Sequence, residues 1–156
     1  MIVIGVDPGL ARLGYGVIKA KRDGVAPLTY GCIQTPATMP AGERLLAIYD
    51  GLAALFVQYP PDCIAVEKLF FTKNVTSAMS VAEVRGVLLL AAEQRGIPVT
   101  EYTPNQVKQA ITGSGKADKR QVQEMICRLL HLDAVPRPDD AADGLSIALC
   151  HIHIMR

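Results

Sequence analysis

Two short apolar runs constrain this chain more than any other feature: Ile2 to Asp7 and Asp62 to Glu67, each nearly free of polar residues until it ends in a carboxylate. A strand with one face in water alternates polar and apolar residues. A run without alternation belongs inside a sheet covered on both faces. Ile2 to Asp7 stops at Asp7-Pro8-Gly9, a turn signal. Gly14 to Lys19 and Leu28 to Thr35 read as two more strands, with a turn at Asp23-Gly24 between them, so three strands come first as antiparallel neighbours.

Helical spacing then takes over. Leu45, Leu46, Ile48, Tyr49, Leu52, Leu55 and Phe56 recur along one face from Glu43 to Tyr59, and Pro60-Pro61 ends that helix. A long helix is expected from about Val75 to Gln94, stopping near Gly96-Ile97-Pro98. Val99 to Tyr102 is a fifth strand. Helices over about 104–111 and 118–130 flank Thr112-Gly113-Ser114-Gly115, and a last helix runs from near Asp139 to about His153. The order βββ-α-β-α-β-α-α-α predicts one α/β domain over 1–156: a mixed five-stranded sheet with helices on both faces. A length of 156 residues suits one core of that kind.

Four acids stand out by position. Asp7 ends the first, central-looking strand and Glu67 the fourth; Asp140 and Asp143 lie three apart at the start of the last helix and share a face. Sites in open α/β sheets gather at the carboxyl ends of strands. Singly, each acid has a plain structural use: Asp7 as a turn cap, Asp140 or Asp139 as a helix N-cap, with Asp139 the better cap because Pro138 precedes it. Together they repel, and stay ionised only if cations neutralise them. Carboxylate oxygens favour Mg²⁺ or Mn²⁺ over zinc, and paired ions roughly 4 Å apart suit in-line phosphodiester cleavage.

The formal net charge of +1 does not advertise nucleic acid. Yet once four of the 15 acids are taken up by metal, eleven face 16 bases. Lys108, Lys116, Lys119 and Arg120 form a basic run around the glycine-bearing loop. Such a run is either a solvated helix face or a phosphate contact.

From Gly5 to Asp143 the chain resembles the RuvC family of Holliday-junction resolvases, RNase H-like nucleases. The matching pieces are Gly5-Val6-Asp7-Pro8-Gly9, Gly14-Tyr15-Gly16, Val66-Glu67-Lys68-Leu69-Phe70, Ala82-Glu83-Val84-Arg85-Gly86, Gln106-Val107-Lys108-Gln109, Lys119-Arg120-Gln121-Val122-Gln123 and Asp140-Ala141-Ala142-Asp143. The chain departs from the family at Gly144, usually alanine, at a cost in helix propensity of about 1 kcal/mol. It also lacks the basic tail that members usually carry after the last helix.

The resemblance implies a bacterial, Mg²⁺-dependent endodeoxyribonuclease acting in recombination and repair as a homodimer on four-way junction DNA. Asp7, Glu67, Asp140 and Asp143 would be both catalytic residues and ligands of two Mg²⁺ ions per subunit, replaceable by Mn²⁺, with Asp7 bridging. A metal-bound water would attack phosphorus to leave 5′-phosphate and 3′-hydroxyl ends. Phe70 would wedge between unstacked bases, Lys108 and Lys119 would contact DNA, and a branch-migration motor of the RuvA and RuvB type would be a partner.

Other signals weigh less. Gly113-Ser114-Gly115-Lys116 resembles part of a nucleotide P-loop, but Ala110 and Ala117 stand where glycine and Ser or Thr belong, so no nucleotide cofactor is expected. Cys32, Cys63, Cys127 and Cys150 form no CxxC pair and are expected reduced and mostly buried; Cys150-His151-Ile152-His153 continues a helix rather than forming a metal tract. No signal peptide and no apolar run of roughly 18–20 residues is evident, which predicts a cytoplasmic protein with no membrane span. The apolar coverage of the helix from Val75, eased by Gly86, suits a two-fold contact as well as burial.

Three other functions fit parts of the pattern. An RNA-processing nuclease of the same fold would share Gly5-Val6-Asp7 but is not expected to show the Phe70 and Lys119 matches. A sugar-kinase-like or actin-like ATPase needs two such domains. A non-catalytic DNA-binding module has no need of the four acids.

Overall fold

A computed structural model describes residues 1–69 and 74–156. The first three strands, β1 (Ile2–Asp7), β2 (Arg12–Lys21) and β3 (Gly24–Gln34), form an antiparallel meander, and β4 (Cys63–Glu67) and β5 (Val99–Tyr102) add in parallel on the other side of β1. The order β3-β2-β1-β4-β5 puts the two apolar runs side by side at the centre, as their lack of alternation requires. The hairpin is longer than the sequence suggests, because Arg22 and Asp23 alone make its turn and Gly24 already belongs to β3.

Five helices cover the sheet: α1 (Ala41–Gln58), α2 (Val75–Glu93), α3 (Pro104–Thr112), α4 (Lys119–Leu130) and α5 (Asp139–Met155). Strand parity sorts the side chains between two cores. Ile4, Val6, Leu13, Val17, Ile64 and Val66 pack on one face with Ile48, Leu52 and Phe56 of α1 and Val84 and Leu88 of α2. Val3, Ile18 and Ala65 pack on the other with Val107, Ile111, Ile126, Leu145 and Leu149 of α3, α4 and α5. Asp7 follows Val3 and Gly5, and Glu67 follows Ala65, so both acids emerge on the α5 face.

That face is built for close approach. Gly5 pairs with Gly16 and Asp7 with Gly14 across the β1–β2 ladder. A Cβ on Gly5 would lie 2.0 Å from the Gly144 carbonyl oxygen, on Gly14 2.0 Å from that of Asp140, and on Gly16 2.5 Å from the Leu145 nitrogen. Gly144 is the reciprocal: its Cβ would sit 2.5 Å from the Tyr15 carbonyl carbon. Its helix-propensity cost is thus offset by a backbone contact that alanine would push apart.

The two capping boxes explain residues first seen as motif. Thr103 caps α3 with Gln106 reaching back to the Thr103 N–H, and Asp118 caps α4 with Gln121 in the same role. Asp139 does not cap α5: Pro138 occupies that position and no side chain caps the helix. One apolar reading also changes. α2 is 19 residues long and, by length and composition alone, apolar enough to cross a membrane, although Glu83 and Arg85 interrupt it and one side packs on α1 and the sheet.

Candidate active site

The glycine contacts set where the acids meet. α5 starts directly over Gly14, the ladder partner of Asp7, and its first turn carries Asp140 and Asp143. One carboxylate oxygen from each of Asp7, Asp140 and Asp143 lies within 4.8 Å of the other two. Glu67 stands outside that trio but on the same sheet face, one residue beyond the β1–β4 pair Val6–Val66. Arg85 of α2 fixes the strand end that carries it, donating from Nη1 to the Glu67 carbonyl at 3.1 Å and from the other guanidinium nitrogen to the Glu101 carboxylate.

Burial and like charge act together here. Asp7 is pushed up to about 8, first by burial and then by Asp143, Glu67 and Asp140. Burial and Asp143 raise Glu67, against a lowering pull from Lys108. Asp143 is also raised, chiefly by burial and in spite of Lys119. Four carboxylates in such surroundings fit a divalent cation, since they offer hard oxygen ligands and their repulsion is what a cation relieves.

The basic residues divide into two groups. Lys108 and Lys119 line a groove of about 230 Å³ together with Glu67, Asp143, Gln123 and Ser146. Lys119 Nζ lies 3.3 Å from Asp139 and 3.9 Å from Asp143. Asp139, instead of capping, ties Lys119 and Arg137 together, and both cations hold its carboxyl below the usual range, Lys119 first. Lys116 lies elsewhere, in a cleft with Thr112, Ser114 and Arg128. Arg120 is 87% exposed and pairs with Glu124 one turn along. Phe70, the expected wedge, lies outside the described residues.

The Cys-His tract of α5 splits three ways. Cys150 Sγ donates to the Gln106 carbonyl, the buried His151 shares a 2.8 Å hydrogen bond with the Tyr102 hydroxyl, and His153 Nδ1 meets the Ala110 carbonyl at 3.0 Å. All four cysteines are free; Cys63 and Cys150 are buried and Cys32 and Cys127 half-buried.

Residues that sequence reasoning passed over hold the site's other flank. Arg12 reaches to 4.0 Å from Asp140. Thr35 donates its hydroxyl to the Leu10 carbonyl and its N–H to the Ala11 carbonyl at 3.0 Å. Arg44 in turn holds Thr35, with Nε 2.9 Å from Oγ1 and Nη2 3.1 Å from the carbonyl oxygen. No periodicity or motif marks these three; a basic residue beside the Asp-Pro-Gly turn was the available hint.

Comparison with known proteins follows the same lines. The family profile described as "Crossover junction endodeoxyribonuclease RuvC" matches residues 3–151. The RuvC of Desulfitobacterium hafniense is 52% identical over 153 residues, covering 98% of this chain and 93% of the relative, and that of Desulforamulus reducens is 50% identical over 97% and 93%. Among solved structures, Thermus thermophilus RuvC in complex with a Holliday junction substrate superposes with a TM-score of 0.95 at 38% identity, covering 100% of this chain and 95% of that one. With the RNase H-like sheet, the acidic centre and matches at this level over nearly the whole length, the chain belongs to the RuvC family of crossover junction endodeoxyribonucleases.

Proposed function

We propose that this chain resolves Holliday junctions by metal-dependent cleavage of two opposed strands, in the service of recombination and DNA repair. The observation that carries the reading is the meeting of Asp7, Asp140 and Asp143 within 4.8 Å, beside a groove lined by Glu67, Lys108 and Lys119. Family membership supports the substrate, since a relative of 38% identity has been solved with a Holliday junction. The alternative of structured RNA finds no such support.

Asp7, Glu67, Asp140 and Asp143 are the residues that would hold two Mg²⁺ ions, with Mn²⁺ as a substitute. Bound there, the ions supply a nucleophilic water and stabilise charge on the phosphoryl oxygens. The chain's own groups do the rest. Asp7 sits at the centre of the carboxylate group, so it is the ligand placed to serve both positions. Lys108 and Lys119 hold the phosphodiester in the groove by charge, and Lys119, drawn towards Asp143, stands nearest the reacting phosphorus. The products are 5′-phosphate and 3′-hydroxyl ends. Lys116 and Arg120 face away from that groove and act, if they contact DNA at all, on its flanking arms. Phe70 serves as the wedge.

A homodimer supplies the second active site. Val75, Met79, Leu89 and Leu90 are large apolar residues exposed on α2, and a Cβ on Gly86 between them meets nothing within 4 Å. A second copy of this helix across a two-fold axis would cover them, with Gly86 allowing close approach. A branch-migration motor of the RuvA and RuvB type is the expected further partner, and residues 1–156 act as one nuclease domain.

The test uses the intact protein with Mg²⁺ and three labelled substrates: a four-way junction, a linear duplex of the same sequence and a structured RNA. Cleavage confined to the junction and stopped by EDTA is the expected result. Equal cutting of duplex, or preference for RNA, would overturn the substrate while leaving the nuclease centre intact.

A further inference from the structure

The acidic centre lies between two grooves. The first holds Lys108 and Lys119 and shares Glu67 and Asp143 with the centre. The second, about 440 Å³, runs between the Gly9–Arg12 turn and the start of α2; Arg12, Thr76, Ser77 and Ser80 line it, and it shares Asp140. A DNA strand with its scissile phosphate over the centre and one side in the first groove must leave by another way, and the second groove opens there.

Resting on the junction-nuclease reading, we infer that this second groove is a phosphate subsite for the cleaved strand on the far side of the scissile bond. Arg12 is its charged contact, and the hydroxyls of Thr76, Ser77 and Ser80 are its hydrogen-bond donors. Guanidinium and hydroxyl groups are the side chains that position DNA through phosphate oxygens. Arg12 is 55% exposed and meets Asp140 only at 4.0 Å, so most of its donors face the groove.

The turn that carries Arg12 is fixed in advance. Thr35, 5% exposed, binds the carbonyls of both Leu10 and Ala11, and Arg44 clamps Thr35 from behind. Gly9 completes the turn, since a Cβ there would lie 2.3 Å from the Arg12 carbonyl oxygen. A contact held this way loses little freedom when DNA arrives.

Asp140 couples the subsite to the centre. While bare, it competes for Arg12 and repels a phosphate in the groove. Once a cation neutralises it, Arg12 is released to the DNA. The contribution of Arg12 to binding is therefore linked to metal, whereas that of an isolated surface cation such as Lys116 is not.

Binding of a labelled four-way junction to the full-length protein, followed by fluorescence anisotropy in Ca²⁺ and in EDTA, tests this. Ca²⁺ is a hard cation that carboxylates also bind. Arg12→Ala should weaken binding about 5–10-fold in Ca²⁺ and less than about twofold in EDTA, and lower the salt slope in Ca²⁺ by about one. Arg12→Lys should recover part of the loss. Ser80→Ala, which leaves the turn untouched, should lose about twofold in Ca²⁺ alone. Phosphate-ethylation interference should show contacts on one side of the cut that matter to the wild type and not to Arg12→Ala. Wild-type affinity of Arg12→Ala in Ca²⁺, or equal losses in Ca²⁺ and EDTA, overturns the subsite. A wild-type protein that ignores junctions altogether overturns the junction-nuclease reading, and the subsite with it.

Discussion

The two faces of this sheet are packed on opposite principles. On the α5 side, four glycines bring helix and strand backbones into contact, and the reward is position: the first turn of α5 is held over the end of β1, and three carboxylates meet. On the α1–α2 side, branched side chains fill the space, and α2 is left with large apolar residues in solvent. The first arrangement cannot shift by an ångström without moving the acids. The second tolerates repacking and offers a surface for a second copy. Catalytic precision and association are thus assigned to different faces, and each can be broken separately.

The largest effect should follow Asp7→Asn. Cleavage should fall by at least about 10³-fold, in line with the several kcal/mol that metal-borne charge stabilisation supplies, while junction binding persists. The same change should stabilise the metal-free protein. Asp7 has a folded pKa of about 8 against an ordinary 3.8, so the folded state holds a proton that the unfolded chain releases. Stability from that group is complete below about pH 4 and is lost as pH rises through about 8. In EDTA the wild type should therefore melt lower at pH 9 than at pH 6, Asp7→Asn should flatten the trend, and its Tm at pH 8 should be higher by about 3 °C, on the order of 1 kcal/mol. Mg²⁺ should erase the difference by raising the wild type, and its affinity should increase with pH because binding displaces that proton. A wild-type Tm independent of pH in EDTA would contradict the crowded-carboxylate account.

Next in size is Gly14→Ala. Its methyl meets the Asp140 backbone, which must move, so cleavage should drop about 10–100-fold and the Mg²⁺ concentration for half-maximal rate should rise, with overpacking costing about 1–3 kcal/mol. Gly144→Ala strikes the Tyr15 backbone from the helix side and, being farther from the acids, should do less. An unchanged metal requirement in Gly14→Ala would show that α5 is not held by this contact.

On the other face, Leu90→Glu should leave the fold and the acidic centre intact but shift the protein towards monomer in sedimentation, with paired cutting lost before single cutting. A dimer of undiminished stability would remove α2 from the interface. The smallest effects separate the basic residues: Lys108→Ala or Lys119→Ala should weaken binding and lower the rate at saturating DNA, whereas Lys116→Ala or Arg120→Ala should change affinity about twofold or less, as exposed single charges do.

Much of this was legible from the chain. The unbroken apolar runs placed β1 and β4 at the sheet centre, and strand parity put Asp7 and Glu67 on one face. The three-residue spacing of Asp140 and Asp143 put them on one side of α5. What escaped is tertiary in origin. Gly144 read as a helix defect because propensity is local, whereas the space it spares belongs to Tyr15, far away in sequence. Asp139 read as a cap from the preceding proline, but Lys119 of another helix claims its carboxylate. Gln106 and Gln121 entered as motif residues and proved to close capping boxes, a local role the sequence did hold. Arg12, Thr35 and Arg44 carry no periodic signal, since a turn, a strand end and a helix meet only in the fold.

The central claim is paired cutting by two acidic centres related by symmetry, and a cruciform plasmid tests it in one gel. Two cuts within the lifetime of one complex give linear product, and a single cut gives a nicked circle. With Mg²⁺ the wild-type protein should turn supercoiled cruciform DNA into linear product, and Asp7→Asn should leave it supercoiled. Nicked circles alone, or equal linearisation of a plasmid without the cruciform, would contradict the account.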